Sequence, residues 1–154
     1  MKYRLLLFLL FSFCLSGYSQ TENNKYDKLL ADSLGGDDYG MKTYILVILK
    51  TGTNKTEDKK VLDSLFKGHM ETIGRLVSNG KLIVAGPLGK NDKAYRGIFI
   101  LNIKSIEEAN AVLETDPTIK DKVFEAELFK WYGSAALPTY LPNHEKIEKK
   151  SINK

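Results

Sequence analysis

The run Tyr44-Ile45-Leu46-Val47-Ile48-Leu49 decides the fold: six consecutive apolar side chains, rich in β-branched residues, leave it no polar face. Its composition predicts a strand. Alternate side chains of a strand point to opposite faces, so a strand of this kind needs cover on both. Ile98 to Leu101 has the same two-faced character.

On the C-terminal side of the run, Glu57 to Asn79 carries apolar residues at helical spacing and stops at Asn79-Gly80. Leu82 to Ala85 reads as a second strand ended by Gly86-Pro87, and Gly97 to Ile103 as a third, with the polar loop Gly89 to Lys93 between them. Ser105, followed by Glu107 and Glu108 in a first turn, caps a short helix reaching Leu113. Val123 to Tyr132 supplies a fourth strand. The order is βαββαβ, so the expected fold class is α+β, with a ferredoxin-like arrangement. Two helices cover one face of a four-stranded sheet. The other face then needs a partner, most economically a second copy packed sheet to sheet, and a homodimer is expected. The competing expectation is that the N-terminal helix or the C-terminal segment around Trp131 folds back over that face.

The flanks read differently. Lys2 and Arg4 precede an apolar run from Leu5 to Leu15, followed by Gly17 and Ser19 set two apart, the pattern of an export signal cut after Ser19. About eleven apolar residues fall short of the roughly 20 that span a bilayer as a helix, so no stable membrane anchor is expected. Cys14, the only cysteine, lies inside this segment. Lipidation there is disfavoured because Phe11, Ser12 and Phe13 are poor neighbours for such a site. The reading is therefore a signal peptide over residues 1–19, an N-terminal extension over 20–41 with Tyr26, Leu29, Leu30 and Leu34 at helical spacing, a folded domain over 42–134, and a C-terminal tail over 135–154. In that tail Pro138 and Pro142 are expected to stop regular structure, and Glu145 to Lys154 to be solvated. The protein is expected in the periplasm or outside the cell.

The 154 residues are 43% hydrophobic and 27% charged, which suits one packed domain and excludes collagen-like, coiled-coil and disordered classes. The net charge is +4, and without Lys2 and Arg4 there remain 21 basic against 19 acidic residues. That balance is too weak for a phosphate-neutralising stripe, so nucleic acid is not an expected partner. A mature chain without cysteine, whose only histidine besides His69 is His144 in the tail, offers no zinc ligand set. Neither a Gly-x-Ser-x-Gly elbow nor a phosphate-cradling glycine loop is present. No cofactor is expected. A haem role would rest on a single histidine and is set aside. Asn54-Lys55-Thr56 matches a glycosylation acceptor, but the pattern is short and reads as loop.

His69 is the most informative residue. Val61, Leu62, Leu65, Phe66, Met70, Ile73, Leu76 and Val77 occupy about half the circumference of the first long helix, and His69 falls near the middle of that arc. It faces the sheet, where burial penalises the cation and calls for a hydrogen-bond partner. Two readings stay open: a satisfied core histidine or a functional one. The best candidate partner is Asp116, in Glu114-Thr115-Asp116-Pro117, whose own alternative is a turn or cap. A carboxylate reaching His69 would fix the imidazole tautomer and leave the other nitrogen free as a general base or acid. Arg96, opening the third strand, either meets an anionic ligand or is simply solvated.

Gly68-His69 within a helix, then Gly80 to Leu88, then Gly97 to Leu101, Ser105 to Ala109, and Asp116-Pro117, closing near Trp131, together resemble the YCII-related family over Lys42 to Trp131. The resemblance implies a dimeric α+β barrel of ferredoxin-like subunits. It also implies a pocket in each subunit with His69 and Asp116 as its active-site pair and Gly86 and Pro87 as pocket wall. It gives a site more readily than a reaction. Two classes of function follow: a cofactor-independent enzyme moving a proton on a small, partly apolar molecule, or a non-catalytic dimeric module that binds a small ligand. The export signal, the extension and the basic tail depart from the compact form of the family and put a cytoplasmic role in doubt.

Overall fold

The computed structural model describes residues 23–150. The segment read as a signal peptide, with Cys14, lies outside them. Helix α1 (Lys28–Leu34) leads to strand β1 (Met41–Thr51), helix α2 (Lys59–Ser78), strands β2 (Leu82–Pro87) and β3 (Tyr95–Leu101), and helix α3 (Ile106–Leu113). A single turn, α4 (Pro117–Lys120), precedes strand β4 (Phe124–Ser134). A 3-10 turn (Leu137–Tyr140) and helix α5 (Leu141–Ile147) complete the described chain. The sheet order is β2-β3-β1-β4 with every neighbouring pair antiparallel, the ferredoxin-like topology.

The strand register separates two faces. Ile45, Val47 and Leu49 stand opposite Leu101, Phe99 and Gly97 on one side and Lys130, Leu128 and Ala126 on the other. With Leu76, Leu82, Ile103, Ala109 and Leu113 they build the core between sheet and helices. The opposite face carries Leu46, Ile48, Ile98 and Ile100, all only half-buried, and Phe129, which is 48% exposed. Its far end is polar, where Lys50 Nζ lies 2.9 Å from Glu127 and 3.7 Å from Glu125. At the other end Tyr44 is fully buried, its ring 5.7 Å from that of Trp131 and its hydroxyl donating to the Ser134 carbonyl. Tyr140 donates to the Ile83 carbonyl, which ties the C-terminal segment to edge strand β2. The C-terminal segment thus reaches the sheet's edge at that end, and the middle of the face stays uncovered by the described chain.

Several boundaries differ from the sequence expectation, each for a local reason. β2 runs on through Gly86-Pro87, because an edge strand tolerates a residue without an N–H. Pro138 and Pro142 do not stop regular structure. They sit in the first turns of the 3-10 turn and of α5, where the missing N–H would have had no helical partner. The apolar arc of α2 is narrower than its sequence pattern: Leu65, His69, Thr72 and Leu76 are buried, while Val61, Phe66 and Val77 are 40% or more exposed. Asn54 closes the β1–α2 loop, its side-chain oxygen accepting from Thr56 N and its amide nitrogen donating to the Asp121 carbonyl, so the nitrogen a glycan would need is engaged.

Candidate active site

α2 positions His69. Asp58 caps the helix by accepting from Lys60 N and Val61 N, and the Leu65, His69, Thr72, Leu76 spacing turns the imidazole toward the sheet. The ring stacks on Phe99 of β3 at 6.0 Å and 25°, and meets Phe124 of β4 and Phe66 of α2 edge-on at 5.7 and 6.4 Å. Three phenylalanines thus surround an imidazole that is 8% exposed.

Asp116 arrives from the turn that follows α3. α3 ends at Leu113, and the chain turns through Glu114-Thr115 so that Asp116 becomes the N-cap of α4, with Pro117 in its first turn. Both readings of Asp116 from sequence coexist. Oδ1 caps the turn, accepting from Thr118 N at 2.9 Å and from the Thr118 hydroxyl at 2.7 Å, while Oδ2 lies 2.6 Å from His69 Nδ1. Asp116 and Thr118 are fully buried. Burial pushes the Asp116 carboxyl up, but the hydrogen bonds from His69 and Thr118 and the attraction of the His69 charge outweigh it and hold the carboxyl below its ordinary value.

Gly68 makes this approach possible. A Cβ at that position would lie 2.5 Å from Pro117 Cγ, so only a glycine lets α2 come this close to the Asp116-Pro117 turn. Arg75 reinforces the same junction by donating to Thr115 Oγ1 at 2.7 Å. The pairing of Gly68-His69 with Asp116-Pro117 is thus a steric fit as well as a chemical one.

With Nδ1 engaged, Nε2 makes no hydrogen bond to any described residue, yet no fully buried side-chain nitrogen or oxygen among them lacks a partner. Nε2 is therefore not fully buried. Such an imidazole can accept or deliver a proton at Nε2, or bind a ligand there, while the carboxylate holds the ring.

No hydrogen bond joins the other sequence candidates to the pair. Gly86 and Pro87 lie opposite Ile98 and Gly97 on β2, one strand across from the Phe99 platform, and neither contacts His69 through a hydrogen bond. Arg96 is exposed and its Nε donates to Thr51 Oγ1 at 2.6 Å, so it is held by β1. Thr118, Gly68, Phe66, Phe99 and Phe124 carry the site's geometry without having been singled out for it from sequence. For Gly68 the adjoining His69 was a signal; for Thr118 there was none. Among the described residues no group of three or more His, Cys, Asp or Glu side chains gathers as metal ligands would, and no helix is long and apolar enough to cross a membrane. A groove of about 290 Å³ between α3, α4 and β4 is lined by Leu113, Ile119, Phe124 and Ala126 with Lys50, Lys122 and Glu125, and it contains neither His69 nor Asp116.

A family model described as YCII-related domain matches residues 43–132. No curated protein matches the chain. Among solved structures, 5-chloro-2-hydroxyhydroquinone dehydrochlorinase (TftG) from Burkholderia phenoliruptrix AC1100, in complex with 2,5-dihydroxybenzoquinone, is similar at 22% sequence identity, with a TM-score of 0.41 over 56% of this chain and 92% of that one.

Proposed function

This chain belongs to the YCII-related domain family, and from that premise we propose that it is an exported, cofactor-independent enzyme whose His69–Asp116 pair moves a proton on a small, partly apolar molecule. The observation that carries this reading is the division of labour on one ring: Nδ1 at 2.6 Å from a buried carboxylate, Nε2 free at the solvent boundary. A core histidine kept for packing has no need of a solvent-facing nitrogen. The phenylalanine surround supplies the apolar part of the recognition, with Gly86 and Pro87 as pocket wall and Arg96 toward any anionic group. Export through residues 1–19 delivers the domain over 42–134 to the periplasm or the exterior. Two copies meet through the uncovered sheet face, where Ile48 and Ile98 are directly opposed and half-buried.

A general base declares itself before its reaction is known. Small carbon acids incubated in D2O with the full chain should exchange protons for deuterons, read by proton NMR, and His69→Gln should abolish the exchange. The second reading, a dimeric module that binds without turnover, draws on the deep setting of the imidazole, 8% exposed among three aromatic rings. Ligand binding with pH-insensitive affinity and no exchange in the wild type would favour it.

A further inference from the structure

We infer that Thr118 is the positioning residue of the site: by holding Asp116 Oδ1 with two hydrogen bonds it commits Oδ2 to His69 and so fixes which imidazole nitrogen faces the ligand. This rests on the proposed His69–Asp116 site and adds to it a residue that takes no part in proton transfer itself.

The proton assignment follows from counting donors. Thr118 offers Asp116 Oδ1 both its backbone N–H, at 2.9 Å, and its hydroxyl, at 2.7 Å. The hydroxyl oxygen also lies 3.3 Å from His69 Nδ1. A hydroxyl has one proton and two acceptor lone pairs. With that proton spent on Oδ1, the oxygen can only present lone pairs to Nδ1. Both groups around Nδ1, Oδ2 at 2.6 Å and Thr118 Oγ1, are then acceptors, and the one arrangement that satisfies them places the imidazole proton on Nδ1. A bare Nδ1 would need a protonated Asp116 to donate to it, whereas the two Thr118 donors on Oδ1 favour the charged carboxylate. Nε2 of the neutral ring is consequently a bare lone pair with no partner among the described residues, which makes the resting site a proton acceptor.

Thr118 is fully buried, so nothing but protein surrounds its hydroxyl. Its removal leaves Oδ1 with the backbone donor alone. The carboxylate can then turn, and the preference for Nδ1–H weakens.

The test is the tautomer of His69 in the full-length chain labelled with 15N-histidine, read from long-range proton–nitrogen spectra at a pH where the imidazole is neutral, with His144→Gln to assign the second histidine. Wild type should show Nδ1–H and a bare Nε2. Thr118→Val, nearly isosteric and lacking the hydroxyl, should lower the ratio of Nδ1–H to Nε2–H forms about tenfold, the scale expected for losing a hydrogen bond to a charged group. Thr118→Ser should restore it. Thr118→Ala serves as the second hydroxyl-free variant should the valine protein fail to fold. A folded valine or alanine variant that keeps the wild-type ratio overturns the role of Thr118 and leaves the pair standing. A wild type whose His69 carries its proton on Nε2 overturns the pair itself.

Discussion

At the scale of single residues, Asp116 joins two roles. It is fully buried, and its two oxygens are divided between a cap and an imidazole. Its carboxyl sits below the ordinary 3.8, because the hydrogen bonds from His69 and Thr118 outweigh the burial that pushes it up. Between that lowered value and 3.8 the unfolded chain binds a proton that the folded chain does not. This part of the stability is therefore complete above 3.8 and is lost as the pH falls through the folded value. Asp116→Asn cannot take part in that titration, and it sets an amide against His69 Nδ1. At neutral pH it should cost about 1–3 kcal/mol, as expected for a disrupted buried hydrogen bond. Denaturant unfolding of both proteins from neutral to acid pH should show the gap closing as Asp116 in the wild type protonates. A gap constant across that range would mean that the carboxylate has no special standing in the folded protein.

At the scale of elements, the fit between α2 and α4 depends on one missing methyl. In the interior of an exposed helix Gly68→Ala would stabilise by about 1 kcal/mol through propensity alone. Here the added Cβ would meet Pro117 Cγ at 2.5 Å, and relief requires α2 or the Asp116-Pro117 turn to move. Overpacking of this kind costs about 1–3 kcal/mol, so the variant should melt below wild type and show a weakened His69–Asp116 contact. A raised Tm would mean that the two elements can separate freely. The same pair of elements marks where sequence legibility ends. β1 and β3 are readable as short unbroken apolar runs and α2 and α3 by apolar residues at helical spacing, and Ser105 and Asn79-Gly80 mark two of the ends. α4 has only Pro-Thr-Ile-Lys, too short for any period; Asp116-Pro117 signals the cap, but nothing local signals that Thr118 is seated against Asp116. Pro87, Pro138 and Pro142 read as stops in the sequence, although each occupies a position where a missing N–H does no harm. His69 and Asp116 could be named, one by its place in an apolar arc and the other by its turn, but the distance between them is set by Gly68 and Pro117, and a contact across 47 residues has no local signature.

At the scale of the whole molecule, the unspent feature is the second face of the sheet. Tyr44 and Ile83 are buried at one end, where Tyr44 donates to the Ser134 carbonyl and Tyr140 to the Ile83 carbonyl, and Lys50 with Glu125 and Glu127 makes the other end polar. Between these ends Leu46, Ile48, Ile98, Ile100 and Phe129 form a partly exposed apolar strip that no described element covers. Patches of this sort on a folded domain mark association surfaces, and an apolar strip along one sheet face suits a two-fold pairing with a second copy. Ile98→Asp separates association from folding, because the side chain points away from the core that Phe99 and Leu101 build, and only the dimer would bury the new charge. Wild type should sediment as a dimer and the aspartate variant as a monomer at the same micromolar concentration, with the isolated fold intact by circular dichroism. A monomeric wild type, or a variant that remains dimeric, would place the cover of this face elsewhere, in a different partner or in chain beyond residues 23–150. Since His69 lies on the helix side of the sheet, the His69–Asp116 contact should survive in the monomer, so loss of the dimer and loss of the site can be read as separate events.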